Sequence, residues 1–229
     1  MLRKCHIYGW ALATYVSPNL VEYEGLTDFT HALVTSNHVA ASDVVLQAMN
    51  KGISLVDVSI GIVQPAMYEV GRRWQVNQLT VAQEHLATAI TQNVLAKAYG
   101  QAEFKAPVNR RAMFACIETN HHGLGLRMVS DAFEIEGWGV DYLGANTPTD
   151  SLIQMLDNTQ VDLLGLSASM HDQVIALGDA IDKLKSELGS KCPPIAIGGL
   201  PLNLIPGLAQ RFNADTWFPD AKAAAADAR

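Results

Sequence analysis

Two hydrophobic periods divide the chain near residue 105. From Leu26 to Gly100, apolar residues recur three and four positions apart with no stretch of strict alternation, the pattern of helices that bury one face. THALVTSNHVAASDVVLQAMNKG predicts one or two helices ended by Gly52. SLVDVSIGIVQPAMYEVGRRW predicts another, which Pro65 should kink or break, because proline has no amide hydrogen and crowds the preceding turn. TVAQEHLATAITQNVLAKAYG opens with Thr80 and Gln83 in capping-box spacing and closes at Gly100. This half reads as a bundle of about four helices.

Beyond AEFKAPVNR, a proline-containing linker, the period changes. Short β-type runs (AMFACI, VDYLG, VDLLGLS, PIAIGG and TWF) alternate with helical stretches over 125–137, 149–158, 172–187 and 201–212. Strands alternating with helices imply a parallel sheet covered on both faces. The expected fold class is α plus α/β. An N-terminal extension (1–25) precedes a four-helix bundle (26–103) and a doubly wound, flavodoxin-like domain with a five-stranded parallel sheet (110–229).

Composition narrows the functional classes. Of 229 residues, 49% are hydrophobic and 17% charged, which is globular rather than disordered. A net charge of -7 leaves no basic stripe to neutralise phosphates, so direct nucleic-acid binding is not expected. Cys5, Cys116 and Cys192 are too widely spaced for a metal motif and read as reduced thiols. The apolar patch IYGWALATYV, with Tyr8, Trp10 and Tyr15, is too short and interrupted to span a bilayer, and no signal-peptide cleavage pattern follows it. A soluble cytoplasmic protein without membrane association is the expectation.

Candidate chemistry gathers where such folds bind ligands, outside the carboxyl ends of the strands. The first strand runs into ETNHHGLG, the second into GANTP, the third into LSASMHD and the fourth into IGGLP. None is a G-x-G-x-x-G or Walker-type loop, which argues against a nucleotide site. ETNHHGLG places two histidines at a strand tip; taken alone it is either a ligand-holding loop or an ordinary polar one.

Together these residues resemble the cobalamin-binding fold, whose usual signature is Asp-x-His-x-x-Gly, a serine motif after the third strand and a Gly-Gly turn. Here the elements are Asn120-x-His122-x-x-Gly125, LSAS at 166–169 and Gly198-Gly199, and the resemblance covers residues 110–220. It implies that His122 is the lower axial ligand of cobalt, with His121 as the alternative imidazole. It further implies that Ser167 and Ser169 contact the displaced nucleotide tail and that Gly198 and Gly199 let it pass. Asn120 stands where the family has a carboxylate that accepts a hydrogen bond from the ligand histidine; its amide oxygen can accept the same bond, and Glu118 is a nearby substitute.

The helical half resembles the cap of CarH-type light-sensing cobalamin proteins. Trp74, nine intervening residues and then Glu84-His85 match the tryptophan and Glu-His pair that cover the upper ligand in that family. Gln75 occupies the position of the family's light-captured histidine, and residues 1–25 are too few for the family's DNA-binding domain. The resemblance implies a non-catalytic photosensory or signalling protein holding adenosylcobalamin, with methylcobalamin as the alternative upper form, and output through a homo-oligomer or protein partner. A corrinoid methyl carrier and a haem- or bilin-binding regulator on the same fold are the competing readings.

Overall fold

The computed structural model describes residues 24–228. Tyr8, Trp10, Tyr15 and Cys5 lie outside the described residues. The chain forms two compact units, one ending at Ala102 and the other beginning at Glu103.

Among its described residues, the first unit is built of helices: α1 (Leu26–Val34), α2 (His38–Asn50), α3 (Leu55–Val58), a π-helical turn (Ser59–Val63), α4 (Gln64–Gln75) and α5 (Val81–Tyr99). Ser36, at φ 59, separates α1 from α2, and the Asn37 carboxamide caps α2 by accepting from the Ala40 amide at 3.0 Å. The interruption expected at Pro65 takes a specific form. Gln64 N–H bonds to Ser59 O, one residue beyond the α-helical partner, and Pro65 then sits in the first turn of α4, where a missing amide hydrogen costs little. The capping box at Thr80 and Gln83 is present in both directions. Helix α5 buries Ala87, Ile90, Thr91, Val94, Leu95 and Ala98, one face at helical spacing. That face belongs to a core with Phe29, Leu33, Val45, Ile62 and Val70, all nearly inaccessible to solvent.

The second unit is a five-stranded, all-parallel sheet in the order β2-β1-β3-β4-β5. Its elements are β1 (Arg111–Ile117), α6 (Leu124–Ile135), β2 (Gly139–Thr147), α7 (Thr149–Asn158), β3 (Leu163–Ser167), a 3-10 turn (His171–Gln173), α8 (Val174–Leu188), β4 (Ile195–Gly198), α9 (Leu200–Leu204), β5 (Thr216–Phe218) and α10 (Ala221–Asp227). Alternation along β1 sends Met113, Ala115 and Ile117 into one core with Leu177, Ile181 and Leu184 of α8. Ala112, Phe114 and Cys116 enter the other core with Leu126 and Phe133 of α6 and Ala224 of α10. Phe114 and Trp138 each meet Phe133 edge to face, with ring centroids 5.1 Å apart.

Two elements differ from the sequence pattern. Strand β2 continues through GANT, because Ile117 pairs with Thr147 across irregularities at Gly144 and Asn146. The stretch 201–212 is not one helix: Pro206 and Gly207 (φ 73) separate α9 from a 3-10 turn at Ala209–Arg211. Among the described residues, no helix is long and apolar enough to cross a membrane.

Gly199 joins β4 to α9 at φ 127, and a Cβ there would stand 1.8 Å from Ala168 O. Gly199→Ala is expected to cost about 3 kcal/mol, since strained backbone and backbone displacement combine; urea unfolding of the cofactor-free chain checks it.

Asp131 on α6 is 4% exposed, and burial pushes its carboxyl up from 3.8 to about 6 even though Arg127 Nε lies 2.6 Å away. A carboxyl raised on folding favours the native state below its ordinary value, and that contribution is lost as pH rises through about 6. Asp131→Asn is therefore expected to be more stable than the parent at pH 8, on the order of 2 kcal/mol, and equal to it near pH 4. Unfolding midpoints at the two pH values measure this.

Candidate functional site

The sheet order makes the carboxyl ends of β1 and β3 the topological switch point. From β1 the chain crosses to β2 on one side, while β3 pairs with β1 on the other. The loop carrying His122 and the segment carrying Ser167 and Ser169 therefore lie side by side.

Asn120 is wholly buried, yet both ends of its carboxamide are satisfied. Its Nδ2 donates to Ser167 O at 2.8 Å, and its Oδ1 accepts from the main-chain N–H of His122 at 3.1 Å. The bond expected from the His122 ring is thus made by the His122 backbone instead, since the loop is short and the amide end is already committed to β3. The Asn120 carbonyl also accepts from Asn146 N at 2.8 Å, and the Asn146 carboxamide oxygen accepts from Thr119 N at 2.7 Å.

His122 is exposed, and no described residue hydrogen-bonds its ring. Its carbonyl, by contrast, accepts from Ser169 Oγ at 3.3 Å and from Cys116 Sγ at 3.8 Å. The backbone is held while the imidazole is available. Burial pushes the Cys116 thiol up to about 12, so it stays protonated and acts as a donor rather than a competing soft ligand. Tyr142, whose phenol burial also raises to about 12, donates to Gly123 O at 2.9 Å and props the last loop residue before α6. His121 is exposed in the same loop.

Ser167 and Gly198 are register partners on β3 and β4, and Gly199 closes against Ala168. The serine and Gly-Gly motifs are therefore adjacent, with Ser167 buried and Ser169 half-buried. Gly125 lies on the first turn of α6, where nothing beyond its chain neighbours and its own helix backbone comes within 4 Å of the place a Cβ would occupy. Its lack of a side chain is not demanded by the protein's own packing.

In the helical unit, Trp74 lies near the end of α4 and is 36% exposed. Glu69, one turn earlier, pairs with Arg72 and Arg73 at 2.6 and 2.7 Å, and these guanidinium bonds hold its carboxyl down at about 2. Glu84 is half-buried in the first turn of α5 and accepts from Thr88 Oγ1 at 3.0 Å. His85 is exposed, with Nε2 3.7 Å from Glu84 Oε2.

Sequence reasoning missed Gln173, Asn146 and Tyr142, which brace the His122 loop. Each is separated by more than eighteen positions from the loop residue it bonds, so no local spacing marks it.

Residues 110–228 match the family model of a B12 binding domain, and residues 26–99 match a second model with the same description. The chain belongs to the B12-binding family. It is 31% identical over 162 residues to the HTH-type transcriptional repressor CarA of Myxococcus xanthus, covering 69% of this chain and 53% of that protein. It is 27% identical over 113 residues to dimethylamine corrinoid protein 3 of Methanosarcina acetivorans, covering 49% and 52%. This chain thus spans about half the length of the curated relatives it matches. Among solved structures, the monomethylamine corrinoid protein of Methanosarcina barkeri superposes with a TM-score of 0.72 at 20% identity, over 87% of this chain and 94% of that one. That likeness is one of fold.

The residues present fit cobalamin, the cofactor of this B12-binding family. Among the described residues, no three His, Cys, Asp or Glu side chains gather to hold a bare metal ion. An exposed loop imidazole, His122 or its neighbour His121, suits a metal whose other positions are already filled by a macrocycle.

Asn120→Asp keeps the acceptor for His122 N–H but sets a carboxylate oxygen against Ser167 O. It is expected to destabilise the cofactor-free chain by about 1–3 kcal/mol at pH 7. The penalty should shrink in acid, where a protonated carboxyl can donate again. Equal urea midpoints for parent and variant at pH 7 would contradict this.

Proposed function

We propose that the chain is a cobalamin-binding photosensory or signalling protein that turns over no substrate. The observation that carries the reading is Trp74: a large indole left 36% exposed, followed after nine residues by the Glu84-His85 pair. An indole can cover an apolar or aromatic ligand, while a carboxylate and an imidazole suit a ribose or base edge. That combination fits an adenosyl upper ligand better than methyl. The 31% identity to a transcriptional repressor supports a regulatory role.

In this reading the His122 imidazole would hold the cobalt of bound cobalamin, with Asn120 fixing the His122 backbone. Ser167, Ser169, Gly198 and Gly199 line the path of the nucleotide tail, and Gly125 admits the corrin edge. Bound cobalamin supplies a cobalt–carbon bond that light can break. Trp74, Glu84 and His85 would hold the upper ligand, and without it they would lack a partner, which would favour repacking of the helical unit and altered contacts with another subunit or a protein partner. Gln75 cannot act as the replacement imidazole, so no bis-histidine product would form through that position.

A methyl-carrying corrinoid role is the second reading, favoured by the similarity to dimethylamine corrinoid protein 3. One experiment separates the two. Absorption spectra of the purified chain with adenosylcobalamin are recorded in the dark and after green light. The sensor reading expects a retained cobalamin spectrum that changes with light differently from free cofactor, and that is lost or altered in His122→Ala. Retention with photolysis identical to free cofactor favours the carrier. A haem or bilin band in the protein as isolated overturns both.

A further inference from the structure

Gln173 closes the 3-10 turn after β3 and is 7% exposed. Its Oε1 accepts from the main-chain N–H groups of Ser169 and Met170, at 2.9 and 3.0 Å. Its Nε2 donates across to Thr119 O at 3.0 Å, in the loop after β1. One carboxamide therefore grips the serine segment with one end and the His122 loop with the other.

Thr119 is the place where that grip matters. It holds φ 71, a left-handed conformation that costs a β-branched residue about 1–3 kcal/mol and persists only where neighbours over-determine it. Both of its polar backbone groups are clamped: Asn146 Oδ1 holds the N–H at 2.7 Å, and Gln173 Nε2 holds the C=O. Asn120 follows directly and His122 lies three positions on, and the backbones of both depend on the same turn. Ser169, held by Gln173 at its N–H, returns its hydroxyl to His122 O at 3.3 Å. The circuit runs from Gln173 to Thr119, through the loop to His122, and back through Ser169.

We propose that Gln173 is the positioning residue that sets the spacing between the His122 loop and the Ser167–Ser169 segment, so that a corrinoid meeting both at once depends on it. The proposal rests on the reading of the site given under Proposed function. A corrinoid that engages His122 alone does not need the spacing. One that also places a nucleotide tail along the serine segment does.

The test is Gln173→Glu in the full chain. Glutamate retains an acceptor for Ser169 and Met170 N–H, so the turn stays capped, but it has no donor for Thr119 O. Two ligands are titrated by absorbance: hydroxocobalamin, and cobinamide, which lacks the tail. The expected result is a tenfold or greater loss of affinity for hydroxocobalamin with less than a twofold change for cobinamide. Amide hydrogen exchange on the cofactor-free protein should show residues 119–123 exchanging at least tenfold faster, with α8 unchanged. Equal loss for both ligands assigns Gln173 a general structural role and overturns the proposal. So does unchanged hydroxocobalamin affinity, or unchanged exchange at 119–123. If the parent chain itself retains no hydroxocobalamin, the reading of the site fails, and the role assigned to Gln173 fails with it.

Discussion

A carboxamide with no access to water must find both a donor and an acceptor inside the protein, and Asn120 meets that demand by joining two strands' loops. Leaving either end unpaired would cost about 1–3 kcal/mol, so the loop after β1 has few conformations compatible with a folded unit. Ser167 O takes the amide hydrogen and His122 N–H supplies the return bond. Everything else at the carboxyl edge adjusts to this: Thr119 turns left-handed, Asn146 reaches over from β2, and Tyr142 supports Gly123. The His122 ring is left out of the network because its backbone is already in it.

The architecture was largely legible because it rests on periodicity. The run MFACI alternates between two cores, and the Thr80–Gln83 capping box starts α5 where expected. Cobalamin binding could be read from Asn120-x-His122-x-x-Gly125 with the serine and Gly-Gly motifs, because those residues lie near strand ends whose order brings them together. What escaped was any bond between distant positions. A glutamine at the start of a helix reads as solvated, and only the fold reveals that Gln173 is buried with both ends committed. GANT reads as a turn because glycine and asparagine dominate it, yet pairing of Thr147 with Ile117 keeps it in the strand. The direction of Asn120's hydrogen bonds was equally hidden, since the residue type permits either partner.

The helical unit follows a different economy. Its core is mainly aliphatic around Phe29, and several of its charged and polar groups pair within one helix, as with Glu69 between Arg72 and Arg73 or Thr88 on Glu84. Trp74 sits at the end of this charge-paired helix without being drawn fully into the core.

The irregular strand β2 has a further consequence. It is one edge of the sheet, and an edge strand is an open template on which another polypeptide can pair. Gly144 at φ 81 and Asn146 at φ 54 twist its final third away from a flat ribbon, and the opposite edge, β5, is only three residues long. The bulge that lends Asn146 to the His122 loop also interrupts the longer of the two edge strands. The irregular stretch thus braces the His122 loop through Asn146 and interrupts a regular edge, and a substitution that regularised β2 would disturb both.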